Sequence, residues 1–169
     1  FFYCLFVTIL FFSKKKIKNK ETMIYGILLI VNLIGLFIET VPTTIAIRQI
    51  IPCSKSMTVF FLRLILIYLI IWLSLFTYYV ISLSIIEAKK RKKIIQIGVP
   101  IIICSCIVIM SLPLYYYINN GAAYSYGAAA NFVYAISAIF IIICIFSLSN
   151  NIKKVGIKKY FPLITLLFL

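Results

Sequence analysis

The stretch that decides the fold is Met57–Ile86, MTVFFLRLILIYLIIWLSLFTYYVISLSII, an unbroken apolar run with a single charge, Arg63, inside it. At roughly 1.5 Å per residue a helix over this run reaches about 45 Å, longer than the ~30 Å hydrocarbon core of a bilayer, so a tilted or protruding span is expected. It is closed by Glu87–Lys93 (EAKKRKK), a dense polar island. Composition generalises the local reading: hydrophobic residues make up 64% of the chain and charged residues 12%. Soluble domains carry nearer half apolar and a quarter charged residues, so these side chains cannot assemble a water-facing shell, and lipid is expected to cover most of the surface.

Working outward, the same alternation of oily runs and short islands predicts an all-α, polytopic transmembrane bundle with about six spans and no soluble domain. The spans are expected near residues 1–12, 23–47, 57–86, 94–118, 128–148 and 161–169, the first and last truncated, with seven in the parent protein. Span four contains Pro100 and Pro113, which a helix buried among neighbours can absorb, and residues 119–127 (NNGAAYSYG) read as a turn-rich loop.

Orientation follows from the cations. Fourteen of the seventeen lie in the islands 13–22, 87–93 and 149–160, whereas the intervening islands hold only Arg48 and Lys55. The positive-inside rule then places the three lysine-rich loops in the cytoplasm and the N-terminus outside. The net charge of +14 reads as topology and as contact with anionic headgroups, not as a nucleic-acid surface, because the cations cluster at helix ends without interleaved aromatics. Tyr115, Tyr116 and Tyr117 fit an aromatic belt at the outer end of span four.

Catalytic parts are missing from the segment. It has no His and only three acids, and Cys104 and Cys106 fall on opposite faces of a helix, unable to clamp a metal. No cofactor, metal site or catalytic residue is expected, and Cys4, Cys104, Cys106 and Cys144 read as small packing residues, with Cys53 in an exterior loop. The informative residues are the polar ones within spans. Asn32, Gly35, Glu39 and Thr43 share one face of span two; Arg63, Ser74 and Thr77 share a face of span three, with Trp72 pointing away; Asn131, Ala135 and Ala138 repeat a small-and-polar pattern in span five. Intramembrane polar groups are costly against lipid, so these stripes should face the bundle interior.

Depth ties two of them together. Glu39 lies about 24 Å along its helix from Met23, and Arg63 about 9 Å from Met57 at the opposite side, so their levels nearly coincide. An ion pair between antiparallel neighbours is expected, the alternative being separate snorkelling to the interface. Three function classes fit: a sensor whose outer crevice near Glu39, Arg63, Tyr124 and Tyr126 binds a small-molecule or lipid ligand; a transporter or channel using the same polar residues; and a membrane scaffold.

Two stretches carry a resemblance: FSKKKIKNKETMIYGILLIVNLIGLFIE (12–39) and YSYGAAANFVYAISAIFIIICIFSLSNNIKKVGIKKYFPL (124–163). With the truncated first span before them, they resemble the multi-pass sensor region of clostridial-type membrane histidine kinases and related diguanylate cyclases. The resemblance implies a signal-input module of a two-component system, with catalysis beyond residue 169 and dimerisation through the parent's cytoplasmic domain. The segment would be no enzyme itself, and its direct partners would be membrane lipids and a ligand.

Overall fold

A computed structural model describes residues 2–13, 20–47, 55–84, 88–119 and 122–151. Five helices, α1 (Phe2–Ser13), α2 (Lys20–Ile47), α3 (Lys55–Ser84), α4 (Ala88–Ser111) and α5 (Ala128–Asn151), are joined between α4 and α5 by two strands, β1 (Tyr115–Asn119) and β2 (Ala122–Tyr126). Three stretches are long and apolar enough to cross a membrane: Thr22–Thr40, Ser56–Leu83 and Ala128–Ser149. They correspond to the second, third and fifth of the expected spans. The first and fourth appear as shorter apolar helices, Cys4–Ser13 and Gln96–Ser111, and the sixth lies outside the described residues.

The all-α expectation needs one correction. Span four was expected to run to Ile118, with a loop to Gly127; instead the helix stops at Ser111 and residues 115–126 form an antiparallel hairpin. The cause is local. Pro113 has no N–H to continue the helical ladder and disfavours helical geometry at Leu112, and the tyrosines beyond it favour extended backbone. Register pairs Tyr115 with Tyr126, Tyr117 with Tyr124 and Asn119 with Ala122, and the sequence between the strands reads Asn120-Gly121. Asn-Gly between alternating aromatics is the strongest short hairpin signal a sequence offers.

Helix α3 is the hub, packing on α2, α4 and α5. Its buried positions Leu62, Leu66, Ile70, Leu73, Thr77 and Val80 recur at three- and four-residue spacing, the stripe of a bundle helix. Two apolar clusters use it. One joins Ile24, Tyr25, Leu28 and Leu29 of α2 to Phe76, Tyr79, Val80 and Leu83, with Cys144 of α5. The other joins Leu62, Leu66 and Ile70 to Ile109, Leu114 and the small residues Ala129 and Ala130 of α5.

Contacts fix the relative directions. Phe11 lies against Gly26 and Cys4 against Asn32, so α1 and α2 run antiparallel. Tyr25 meets Tyr79 whereas Asn32 meets Tyr68, so α2 and α3 also oppose each other. Arg63 reaches the end of α4, and Leu62–Ile70 packs on the start of α5 while Thr77 meets Cys144 further along. Hence α4 opposes α3, and α5 runs parallel to it. The Ser13/Lys20, Ser84/Ala88 and Asn151 ends gather at one end of the bundle, with the hairpin at the other.

Between the clusters sits a polar seam. Tyr68 Oη donates to Asn32 Oδ1 at 3.0 Å, and Asn32 Nδ2 donates to Cys4 Sγ at 3.6 Å, joining three helices. The seam depends on Gly35: a Cβ there would fall 1.8 Å from Tyr68 Cζ, inside the ring. Gly35→Ala must therefore displace Tyr68, at about 1–3 kcal/mol for overpacking plus the lost hydrogen bond, lowering the detergent melting temperature by several degrees. The same change in a Tyr68→Ala background should be close to neutral, since the obstructing ring is gone. Equal losses in both backgrounds, measured by thermal melting, would show that the ring does not rest on Gly35.

Candidate functional site

The hairpin is an amphipathic ribbon. Tyr116 turns inward, half-buried against the cluster that joins α3, α4 and α5. Tyr115, Tyr117, Tyr124 and Tyr126 occupy the opposite face, each about half exposed. Side chains paired across strands share a face, and these four form a continuous ladder. Tyr117 stacks on Tyr124 with centroids 5.3 Å apart and planes at 18°, Tyr115 lies 5.6 Å from Tyr126, and Tyr117 lies 6.0 Å from Tyr126. The result is an aromatic platform edged by phenol hydroxyls, suited to stacking against a flat or weakly polar face and to donating hydrogen bonds at its rim.

The platform is fixed at its base. Gly127 adopts φ +114°, a conformation open to glycine, and a Cβ there would press on Pro113 O at 3.1 Å and on the Tyr115 ring at 3.2 Å. This left-handed residue returns the chain into α5, whose Ala129 N–H donates to Pro113 O at 3.3 Å. From α3, Arg63 reaches beneath the hairpin. Its Nη1 donates to Met110 O and its Nη2 to Leu112 O, the latter at 3.0 Å. These carbonyls lie in the last turn of α4 and at the residue just after it, where helical donors have run out and the dipole is negative, so a guanidinium fork satisfies both hydrogen bonding and charge. Arg63 Nε is buried and has no hydrogen-bond partner among the described residues.

Arg63 is half-buried between α3 and α4, and Glu39 is exposed on α2, a helix that also touches β2. Asn32, Ser74 and Thr77 are buried. Asn32 belongs to the seam with Tyr68; Ser74 Oγ donates to Ile71 O and Thr77 Oγ1 to Leu73 O, both at 2.8 Å, while Cys144 Sγ donates to Thr77 Oγ1 at 3.3 Å. Thr43 lies within α2, its side chain outside those described. Tyr124 and Tyr126, expected as outer-loop contacts, form half of the ladder. Trp72 stacks on Phe76 at 5.6 Å with planes 8° apart, and its Nε1 is buried without a hydrogen-bond partner among the described residues.

Two expectations are corrected. Asn131, Ala135 and Ala138 are exposed, not packed. The contact face of α5 is set instead by Ala129, Ala130 and Val133, because two adjacent alanines let α3 approach more closely than an Asn would. Of the cysteines expected as packing residues, Cys4 and Cys144 are buried, but Cys104 is exposed and Cys106 half-buried; Cys53 lies outside the described residues. The sequence reading also missed the pairing of Tyr115 and Tyr117 with Tyr124 and Tyr126. Asn120-Gly121 between two alternating tyrosine segments was the signal that could have revealed it.

Arg63→Met should release the α4 terminus. Hydrogen bonds to a charged donor contribute about 1.5–3 kcal/mol each, so thermal stability in detergent is expected to fall and protease cleavage between β1 and β2 to rise several-fold. Arg63→Lys should recover only part of this, because an ammonium cannot present a planar fork to two carbonyls. Full recovery by Lys would reduce the role of Arg63 to that of a point charge.

Comparison of the chain with family models, curated proteins and solved structures finds no match in any of the three.

Proposed function

We propose that this chain is a membrane-embedded signal-input module in which the tyrosine hairpin receives a ligand and α3 carries the response to the far end of the bundle. The observation that carries this reading is the Arg63 fork: one side chain of the hub helix holds the base of an exposed aromatic platform. A ligand that shifts the hairpin changes what the last carbonyls of α4 offer to Arg63, and α3 shares its packing with α2, α4 and α5. The Glu39 carboxylate is then the acceptor of opposite charge for the guanidinium, as the depth argument anticipates, and exchange between α4 carbonyls and Glu39 is the proposed two-state element.

In this reading all five described helices enter the bilayer, α1 in part. The antiparallel succession of the helices supports it, since it gathers the flanks of the three lysine-rich segments at one end. That end is cytoplasmic by the positive-inside rule, the N-terminus and the hairpin being outside. The shorter apolar stretch of α4 suits the hairpin's place at the outer interface, where tyrosines are favoured. The resemblance noted in the sequence supports a two-component sensor kinase as the output, joined through further chain and dimerising there. A transport path has less support, because Ser74, Thr77 and Ser105 each donate their hydroxyl to a carbonyl of their own helix.

Two measurements test the proposal. Single cysteines introduced at residues 16, 91 and 154 in a background lacking the native cysteines should resist impermeant thiol reagents in intact cells, whereas one at residue 120 should label; the reverse pattern would invert the orientation. In the full-length protein, Arg63→Met and Glu39→Gln should each change autophosphorylation by about 5- to 150-fold, the usual range of coupling between sites, with normal insertion. Unaltered phosphorylation in a correctly inserted variant would remove both residues from the signal path.

A further inference from the structure

A second candidate site lies at the opposite end of α3 from Arg63. A groove of about 430 Å³ opens between α3, α4 and α5, lined by Tyr78 and Ile81, by Ile97 and Gly98, and by Phe140 and Ile143, one pair from each helix. Its volume is within the range of about 300–1,000 Å³ typical of small-molecule sites. Gly98 borders open space in this groove: an added Cβ there would meet nothing within 4 Å.

The lining selects an apolar occupant. Most of its wall is aliphatic or aromatic, and the hydroxyls of Ser74 and Thr77 already give their protons to the carbonyls of Ile71 and Leu73, so neither has a donor left for a polar solute. One end of the groove is different. The cationic run Lys89–Lys93 fills the first turns of α4, and Lys93, which is exposed, stands about 7.5 Å along the helix from Gly98. An amphiphile with a negatively charged head matches both features: its chain fits between Ile97, Phe140 and Ile143, and its head meets the cations and the positive end of the α4 dipole. A neutral-headed lipid or a further apolar helix would use the groove but leave the charge unanswered.

We propose that this groove is a binding site for an anionic phospholipid, one acyl chain lying against Gly98 and the phosphate on the Lys89–Lys93 run. The proposal rests on the membrane reading above but not on the assignment of orientation or of output.

The test is native mass spectrometry of the intact chain released from detergent micelles containing phosphatidylglycerol or phosphatidylcholine. Wild type should retain one phosphatidylglycerol, and retain it at least about fivefold better than phosphatidylcholine, the ratio expected for about 1 kcal/mol from a single surface cation. Gly98→Ala, which adds only a methyl group, should keep the lipid, and Gly98→Phe, which puts a ring into the groove where the acyl chain would lie, should lose it. Neither substitution lowers helix propensity, so loss of lipid in the second is not loss of the helix. Replacing Lys89, Lys90, Arg91, Lys92 and Lys93 together by Gln should abolish the headgroup preference while chain binding persists. Equal retention of the two lipids by wild type, or of phosphatidylglycerol by Gly98→Phe, would overturn the site. Alkaline carbonate extraction of native membranes separates the two levels: a chain that resists extraction but fails the lipid test refutes the groove alone, and a chain released by carbonate refutes the membrane reading beneath it.

Discussion

A helix that ends beside apolar neighbours leaves its last carbonyls without donors, and the hold of Arg63 on Met110 and Leu112 is how this protein meets that constraint. In a low-dielectric layer an unmade backbone hydrogen bond costs several kcal/mol, so the early stop imposed by Pro113 requires a donor from elsewhere. Arginine suits this position because its fork reaches two carbonyls at once and its charge is favoured at the negative end of the dipole. With α4 sealed there, the chain can leave the helical ladder, pair with itself as a hairpin and re-enter as α5 through Gly127.

Much of the helical architecture was legible in the sequence, and for one reason. Apolar runs such as those around Ser56–Leu83 and Ala128–Ser149 are long enough that length and composition identify the element without tertiary information. What escaped was decided by competition. Residues 115–118 are as apolar as a helix end, and only the neighbouring proline together with Asn120-Gly121 tips them into a strand. The polar stripes were legible where a position is forced inward by a partner, as with Asn32 beneath Tyr68. Asn131 was misplaced because spacing along one helix does not say which side the next helix takes; that was settled by Ala129 and Ala130 against α3.

The surface is the inverse of a water-soluble protein's. Ile103, Ile107, Ile142 and Ile145 face outward at more than half exposure, whereas Asn32, Ser74, Thr77, Ser82 and Ser105 are buried. Packing in such a setting cannot rely on expelling apolar groups from water, and the contacts that define the bundle are accordingly close approaches and hydrogen bonds: Gly35 under a ring, the paired alanines of α5 against α3, an amide between a phenol and a thiol. Each is a geometric match, which explains why the hub helix meets different partners with different chemistry along its length.

Trp72 lies in that hub, and the chain has no other tryptophan. Its indole is stacked flat on Phe76, with the ring N–H pointing at no acceptor among the described residues. Indole emission shifts to longer wavelength when polar groups relax around the excited state, so a dry, stacked ring emits in the blue. The protein thus contains an intrinsic optical gauge of the packing between α3 and its neighbours, one that needs no label and that changes colour whenever repacking admits water or an acceptor to the middle of the bundle.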